Sequence, residues 1–207
     1  MLSVTFTDQG ECVSEYYLDM ETTGLDPGKD QIITIQYQRL GMVSGRTEGD
    51  LKIIKTWDSS EKEVLELFNP IFLGRGPFSF VAIGNNVPFM YTFLVERSRI
   101  HGIESPDPVY IFGSKPYLDI KPFLVLMNGG SFKGASLDRF TNLSLKGDAI
   151  PKLFYEGKFE AIEDHVREKA KEFQELYRHL KENSSSLVPD GVEGPLGYTA
   201  KGTKRWF

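Results

Sequence analysis

Tyr16-Tyr17-Leu18-Asp19-Met20-Glu21-Thr22-Thr23-Gly24-Leu25-Asp26-Pro27 reads as a short apolar strand that carries two carboxylates and then breaks into a turn. Residues two apart on a strand project from the same face, so Asp19 and Glu21 are expected to point into one space. Gly24 is free to take a positive φ, and Asp26-Pro27-Gly28 is turn chemistry in its own right. Two adjacent carboxylates repel unless a cation, a proton or a basic side chain lies between them. A positive group is therefore expected at this strand end. The bland alternative is a solvated pair at an exposed strand terminus.

Working outward, 207 residues with 40% hydrophobic content can bury one core and a small appendage. The net charge of −5 and pI near 5.3 exclude a uniformly basic nucleic-acid binder but leave room for a local basic groove. Cys12 is the only cysteine, so no internal disulfide is possible, which fits a reducing compartment. Residues 1–8 lack the basic-then-apolar layout of a signal peptide, and no apolar run approaches a membrane span. The expectation is a soluble, cytoplasmic protein that does not engage membranes.

Residues 2–6 alternate and suggest an edge strand or hairpin arm. In residues 31–40, Ile33, Ile35 and Tyr37 alternate with Thr34, Gln36 and Gln38, the pattern of a half-buried strand. A Gly- and Ser-rich loop over 41–50 leads to a third strand over 51–57, and short connections point to an antiparallel meander. Ser60 and Glu63 form a capping box, opening a helix that should end near Asn69-Pro70. The continuous apolar run 78–83 suits a strand buried on both faces. A helix is expected over 89–103, strand pieces over 109–112 and 117–118, and helices over 123–127, 137–145 and 150–154. A long helix over 160–181 carries a core stripe of Ile162, Val166, Phe173, Leu176, Tyr177 and Leu180. Strands first, then a strand–helix unit, then helices give an α/β fold with a mixed sheet.

The tail, 183–207, is rich in Ser, Pro and Gly and ends Lys204-Arg205-Trp206-Phe207. It is read as an extension to a single domain over 1–182. Covering an apolar patch is the favoured role; stacking on a nucleic acid or anchoring a partner are alternatives.

The opening stretch closely resembles the first motif of the DEDD-type 3'–5' exonucleases, within the ribonuclease H-like fold. Asn86-Val87-Pro88-Phe89-Met90-Tyr91-Thr92-Phe93-Leu94 resembles their second motif, with Met90 where the family places a metal-binding Asp. The third motif aligns with His165 and Lys169, so a possible general base remains while the last carboxylate becomes an ammonium. Four residues apart, both side chains share a helix face. The resemblance implies a mixed sheet, antiparallel meander plus parallel strands, flanked by helices.

The resemblance also implies Mg2+ or Mn2+ at a working site, held by Asp19 and Glu21 and two more carboxylates. A thioether cannot replace a carboxylate on magnesium, so an impaired or lost active site is expected. Lys169 then either stands in for a metal between Asp19 and Glu21, with Met90 filling space, or snorkels to solvent. Asp164 and Glu168 are possible substitute ligands. By the same resemblance Thr22, Leu25, Asn86 and Phe89 would contact a terminal nucleotide, Leu25 as a wedge; alternatively they only brace core and loops. Arg97 and Arg99 are either phosphate contacts or solvated charges.

Three readings follow. The first is a weak or inactive relative that binds single-stranded or frayed 3' ends, or serves a replication or repair assembly. The second is an active metal-dependent exonuclease with an unusual third carboxylate. The third is a protein-interaction module that has lost both nucleic acid and metal.

Overall fold

The computed structural model describes residues 13–183; the expected strand over 2–6 and the tail after Asn183 lie outside the described residues. A five-stranded mixed sheet forms the centre, in the order β3-β2-β1-β4-β5. The strands are β1 (Glu15–Thr22), β2 (Ile32–Leu40), β3 (Thr47–Lys55), β4 (Val81–Gly84) and β5 (Tyr117–Asp119). β1 to β3 make the antiparallel meander, while β4 joins β1 in parallel and β5 joins β4 in parallel. This is the mixed sheet, antiparallel meander plus parallel strands, that the resemblance implies.

The alternation in β1 sorts its side chains between two cores. Leu18 and Met20 pack with Val64, Leu65 and Phe68 of α1 (Glu61–Leu73) and with α2 (Val87–Ile100). On the opposite face Tyr17 packs with Leu124 of α4 (Lys121–Met127) and with Phe173 and Tyr177 of α7 (Phe159–Asn183). Each fully buried Leu or Phe here stabilises the fold by roughly 1.5–3 kcal/mol. α6 (Ile150–Tyr155) closes a third cluster, in which Ile150 meets Ile33, Ile162 and Val166. The α7 stripe holds for Ile162, Val166, Phe173 and Tyr177, while Leu176 and Leu180 pack at its margin.

The Ser60–Glu63 capping box is present in both directions. α1 nevertheless runs past Pro70 to Leu73, because Phe72, one turn after Phe68, is driven into the core and the helix stops only at Gly74. The expected strand over 109–112 is instead a helix, α3 (Pro108–Gly113). Asp107 accepts a hydrogen bond from the Val109 N–H and Pro108 occupies the first turn, a start signal that outweighs a short apolar alternation. The helix expected over 137–145 shrinks to α5 (Leu137–Phe140). Beyond it the amides of Asn142 and Ser144 are taken by Glu172 and Glu168 of α7 rather than by a helical turn. The strand expected over 78–83 begins only at Val81, though Ser14 bridges to Phe78 and Val81 and extends the contact. The third strand starts earlier than expected, at Thr47.

Gly84 marks the closest approach of β4 to its neighbours. A Cβ there would lie 2.6 Å from the Leu18 carbonyl oxygen and 2.9 Å from Met90 Cε. Between α3 and β5, Lys115 is buried with its ammonium 4.7 Å from the Phe72 ring centroid and 6.0 Å from that of Phe80.

Candidate functional site

The site lies at the carboxyl end of β1. Asp19 and Glu21 share the face that looks towards α7 and are 7% and 6% exposed. A register irregularity between Glu21 and Thr22 ends the regular pairing with β2; such bulges re-aim side chains at strand ends. Lys169 of α7 supplies the positive group that the pair requires. Its Nζ lies 2.8 Å from Asp19 Oδ2 and 2.8 Å from Glu21 Oε1, and its side chain does not reach for solvent. The snorkelling alternative is thereby corrected: the attraction of two buried carboxylates outweighs hydration of the ammonium. Tyr17 completes the face, its hydroxyl donating to Asp19 Oδ2 at 3.3 Å.

Electrostatics follow from one ammonium among several acids. Burial pushes the Glu21 carboxyl up, the Lys169 charge pulls it back, and Asp19 and then Asp138 push it up again. Burial works against the Lys169 ammonium, but the charges of Asp19 and Glu21 outweigh it and raise the lysine well above its usual range. Burial, then the charges of Asp19 and Glu21, likewise hold the Tyr17 phenol protonated. His165, one turn before Lys169 on α7, is buried with Nε2 3.9 Å from Glu21 Oε1, and neither ring nitrogen has a hydrogen-bond partner among the described residues. Burial and the nearby Lys169 charge lower its pKa, so the ring is neutral near pH 7.

Met90 is buried in the α1–α2 core against Gly84. Glu168 is occupied elsewhere: its Oε2 accepts from the Ser144 amide at 3.0 Å and the Ser144 hydroxyl at 2.6 Å. Asp164, His165 and Glu168 line a cavity of about 400 Å3 with Ser144, Leu145 and Ala161. Among the described residues no group of three or more His, Cys, Asp and Glu side chains is arranged to hold a metal ion. The residues present do not fit the divalent pair that the resemblance implies. The space between Asp19 and Glu21 holds an ammonium, and a thioether at Met90 is no ligand for a hard cation.

The four residues expected at a terminal nucleotide stand at one end of the sheet. Thr22 ends β1 and Leu25 lies in the loop that follows it, while Asn86 and Phe89 belong to the junction that leaves β4, which runs parallel to β1. Leu25 is 83% exposed. Thr22 Oγ1 donates to the Gly24 carbonyl at 2.6 Å. Asn86 takes a left-handed conformation, φ 64° and ψ 48°, and Phe89 stacks obliquely on Phe93 at 4.8 Å. Asp119, at the end of β5, accepts from the Asn86, Val87 and Lys121 amides and so fixes this junction.

Arg97 is neither a phosphate contact nor a solvated charge. It is buried and forks onto Glu61 through Nε at 2.9 Å and NH2 at 2.6 Å. Arg99 pairs on the surface with Glu96. The residues that sequence reading missed are Asp119, Asp138 and the Glu61–Arg97 pair. Only Asp119, closing an apolar strand that runs into Lys121-Pro122, left a local trace.

No family model and no curated protein matches the sequence. The fold, by contrast, has counterparts among solved structures. The chain is similar to E. coli Exonuclease I in complex with a dT13 oligonucleotide, with a TM-score of 0.59 and 12% identity, over 85% of this chain and 42% of that one. It is equally similar to the zinc-ion-bound form of the E. coli Exonuclease I–single-stranded DNA complex, with a TM-score of 0.60 and 11% identity, over 86% and 42%. The chain thus spans less than half the length of these structures. At such identity the likeness is one of fold, and the fold is that of the ribonuclease H-like exonucleases.

Proposed function

We propose that this chain binds single-stranded or frayed 3' ends of nucleic acid and does not cut them. The observation that carries the reading is the Lys169 ammonium, 2.8 Å from each of Asp19 and Glu21. A DEDD-type exonuclease needs divalent metals there to activate water and to stabilise the leaving oxygen. An ammonium neutralises the same carboxylates but neither deprotonates a water nor bridges a phosphate as a Lewis acid. The solved structures of like fold carry a dT13 oligonucleotide and single-stranded DNA, and the same ligand class is carried over here as part of the proposal. Leu25, Asn86 and Phe89 remain as an apolar and amide surface at the sheet end. Aromatic stacking alone contributes about 1–3 kcal/mol per base.

The test sets the wild type beside Asp19→Ala and the doubly restored Met90→Asp/Lys169→Asp variant. Labelled single-stranded DNA and RNA are incubated with each in magnesium and in manganese, and binding is followed by anisotropy in a chelator across a salt series. The wild type should bind without metal, weaken steeply with salt as counterions are released, and leave the strand intact. Cleavage by the wild type that Asp19→Ala abolishes would overturn the reading. Absence of any salt-dependent binding would return the chain to a protein-interaction role.

A further inference from the structure

We infer that Glu61, Arg97 and His101 form a positioning clamp that fixes the β1–β2 loop relative to α2, and so sets the spacing between Leu25 and the Asn86–Phe89 junction. The inference rests on the nucleic-acid-end reading above and deepens it. Glu61 is the first residue of α1 and is buried. Its Oε1 accepts from the Ile32 amide at 2.7 Å and from Arg97 Nε at 2.9 Å, and its Oε2 from Arg97 NH2 at 2.6 Å, with His101 Nε2 2.7 Å away. The third arm of Arg97, NH1, donates to the Pro27 carbonyl at 3.2 Å. The loop is therefore gripped at Pro27 and at Ile32, the two sides of its second half.

The loop is also closed upon itself. The Asp26 amide donates to Asp30 Oδ2, the Gly28 amide to Asp26 Oδ1, and Thr23 and Gln31 bond across its neck. Gly24 sits so close to the Asp30 carboxylate that a Cβ would collide with it. Against this order stands Leu25, a large apolar side chain left 83% exposed. The rigidity does not serve to bury Leu25, so its consequence is presentation. Arg97 lies on α2, the helix that Asn86 caps and that carries Phe89 in its first turn. One helix thus holds the junction at its start and the Leu25 loop through Arg97. Preorganising a contact surface raises affinity by removing the cost of ordering it on binding.

The experiment is a double-mutant cycle between Leu25→Ala and Arg97→Lys. Lysine keeps the charge but loses the fork and the arm to Pro27. A 5'-labelled oligothymidylate read by anisotropy reports binding, and hydrogen exchange reports the amides of residues 26–30. Leu25→Ala alone and Arg97→Lys alone should each weaken binding about tenfold, and together little more than either, because coupled residues are non-additive. Loop amides should exchange faster in Arg97→Lys. Should Arg97→Lys not fold, His101→Ala, which removes one partner of Oε2 at the helix end, replaces it in the same cycle. A purely structural bridge would lower thermal stability while leaving binding and loop exchange unchanged well below the melting point, and additive losses in the cycle would likewise overturn the clamp. If the wild type binds no oligonucleotide, the nucleic-acid reading fails on its own, and the exchange of residues 26–30 in Arg97→Lys still decides whether the clamp orders the loop.

Discussion

Lys115→Met should make the protein more stable. Lys115 is 3% exposed, and its ammonium has no hydrogen-bond partner among the described residues, only the faces of Phe72 and Phe80. Burial pushes its pKa down from 10.5 to about 8. A gap of that size is about 3 kcal/mol of penalty on the charged form at pH 7. The ring faces return about 0.5–2 kcal/mol, leaving a net cost of about 1–3 kcal/mol. Methionine has nearly the same length and no charge to desolvate, so it should recover that amount. For a chain of this size it appears as a rise in Tm of about 3–10 °C.

The pH dependence supplies the sharper check. Below pH 8 both folded and unfolded lysine are protonated and the penalty is complete. Between about 8 and 10.5 the unfolded state holds the extra proton, so the wild type gains stability as pH rises through this window. Urea unfolding of wild type and variant at pH 7 and at about pH 9.5 should show the gap between them narrowing. A variant no more stable than wild type at pH 7, or a gap that does not change with pH, would refute the reasoning.

Three further outcomes are expected. Lys169→Met leaves Asp19 and Glu21 buried and facing each other, and should cost about 3–5 kcal/mol in urea unfolding; a loss under about 1 kcal/mol would mean the carboxylates simply hydrate. Gly84→Ala places a methyl 2.6 Å from a fixed backbone oxygen and should destabilise by about 1–3 kcal/mol or more, read by the shift in Tm. Because the positive group is part of the chain, the wild-type Tm should be the same in millimolar magnesium as in a chelator; a clear rise with magnesium would show a metal binding the folded state.

The centre of the fold was legible because its signals are local. Alternation in β1 and β2, the Ser60–Glu63 box and the stripe on α7 each lie within one element. Lys169 was legible for a different reason: two carboxylates on one strand face demand a cation, and the motif spacing offered one. What escaped depends on pairs brought together only by the tertiary fold. Glu61 and Arg97 are 36 residues apart, and neither carries a mark that distinguishes it from a surface charge. Asp138 looked like part of a longer helix, because nothing in residues 141–145 announces that α7 carboxylates will take their amides. Lys115 is a single charge in a loop, and only the packing of Phe72 and Phe80 makes it buried.

The seating of Lys169 also bears on how such a chain can change over generations. Lys169→Asp alone would set a third acid beside two carboxylates that are already out of water. Met90→Asp alone would place a charge in the apolar core between α1 and α2 with no partner there. Either single step towards a metal-binding arrangement passes through a less stable molecule. On the non-cutting reading proposed above, Met90 and Lys169 together act as a ratchet: drift can vary the exposed surface around Leu25 far more readily than it can install a metal site at Asp19 and Glu21.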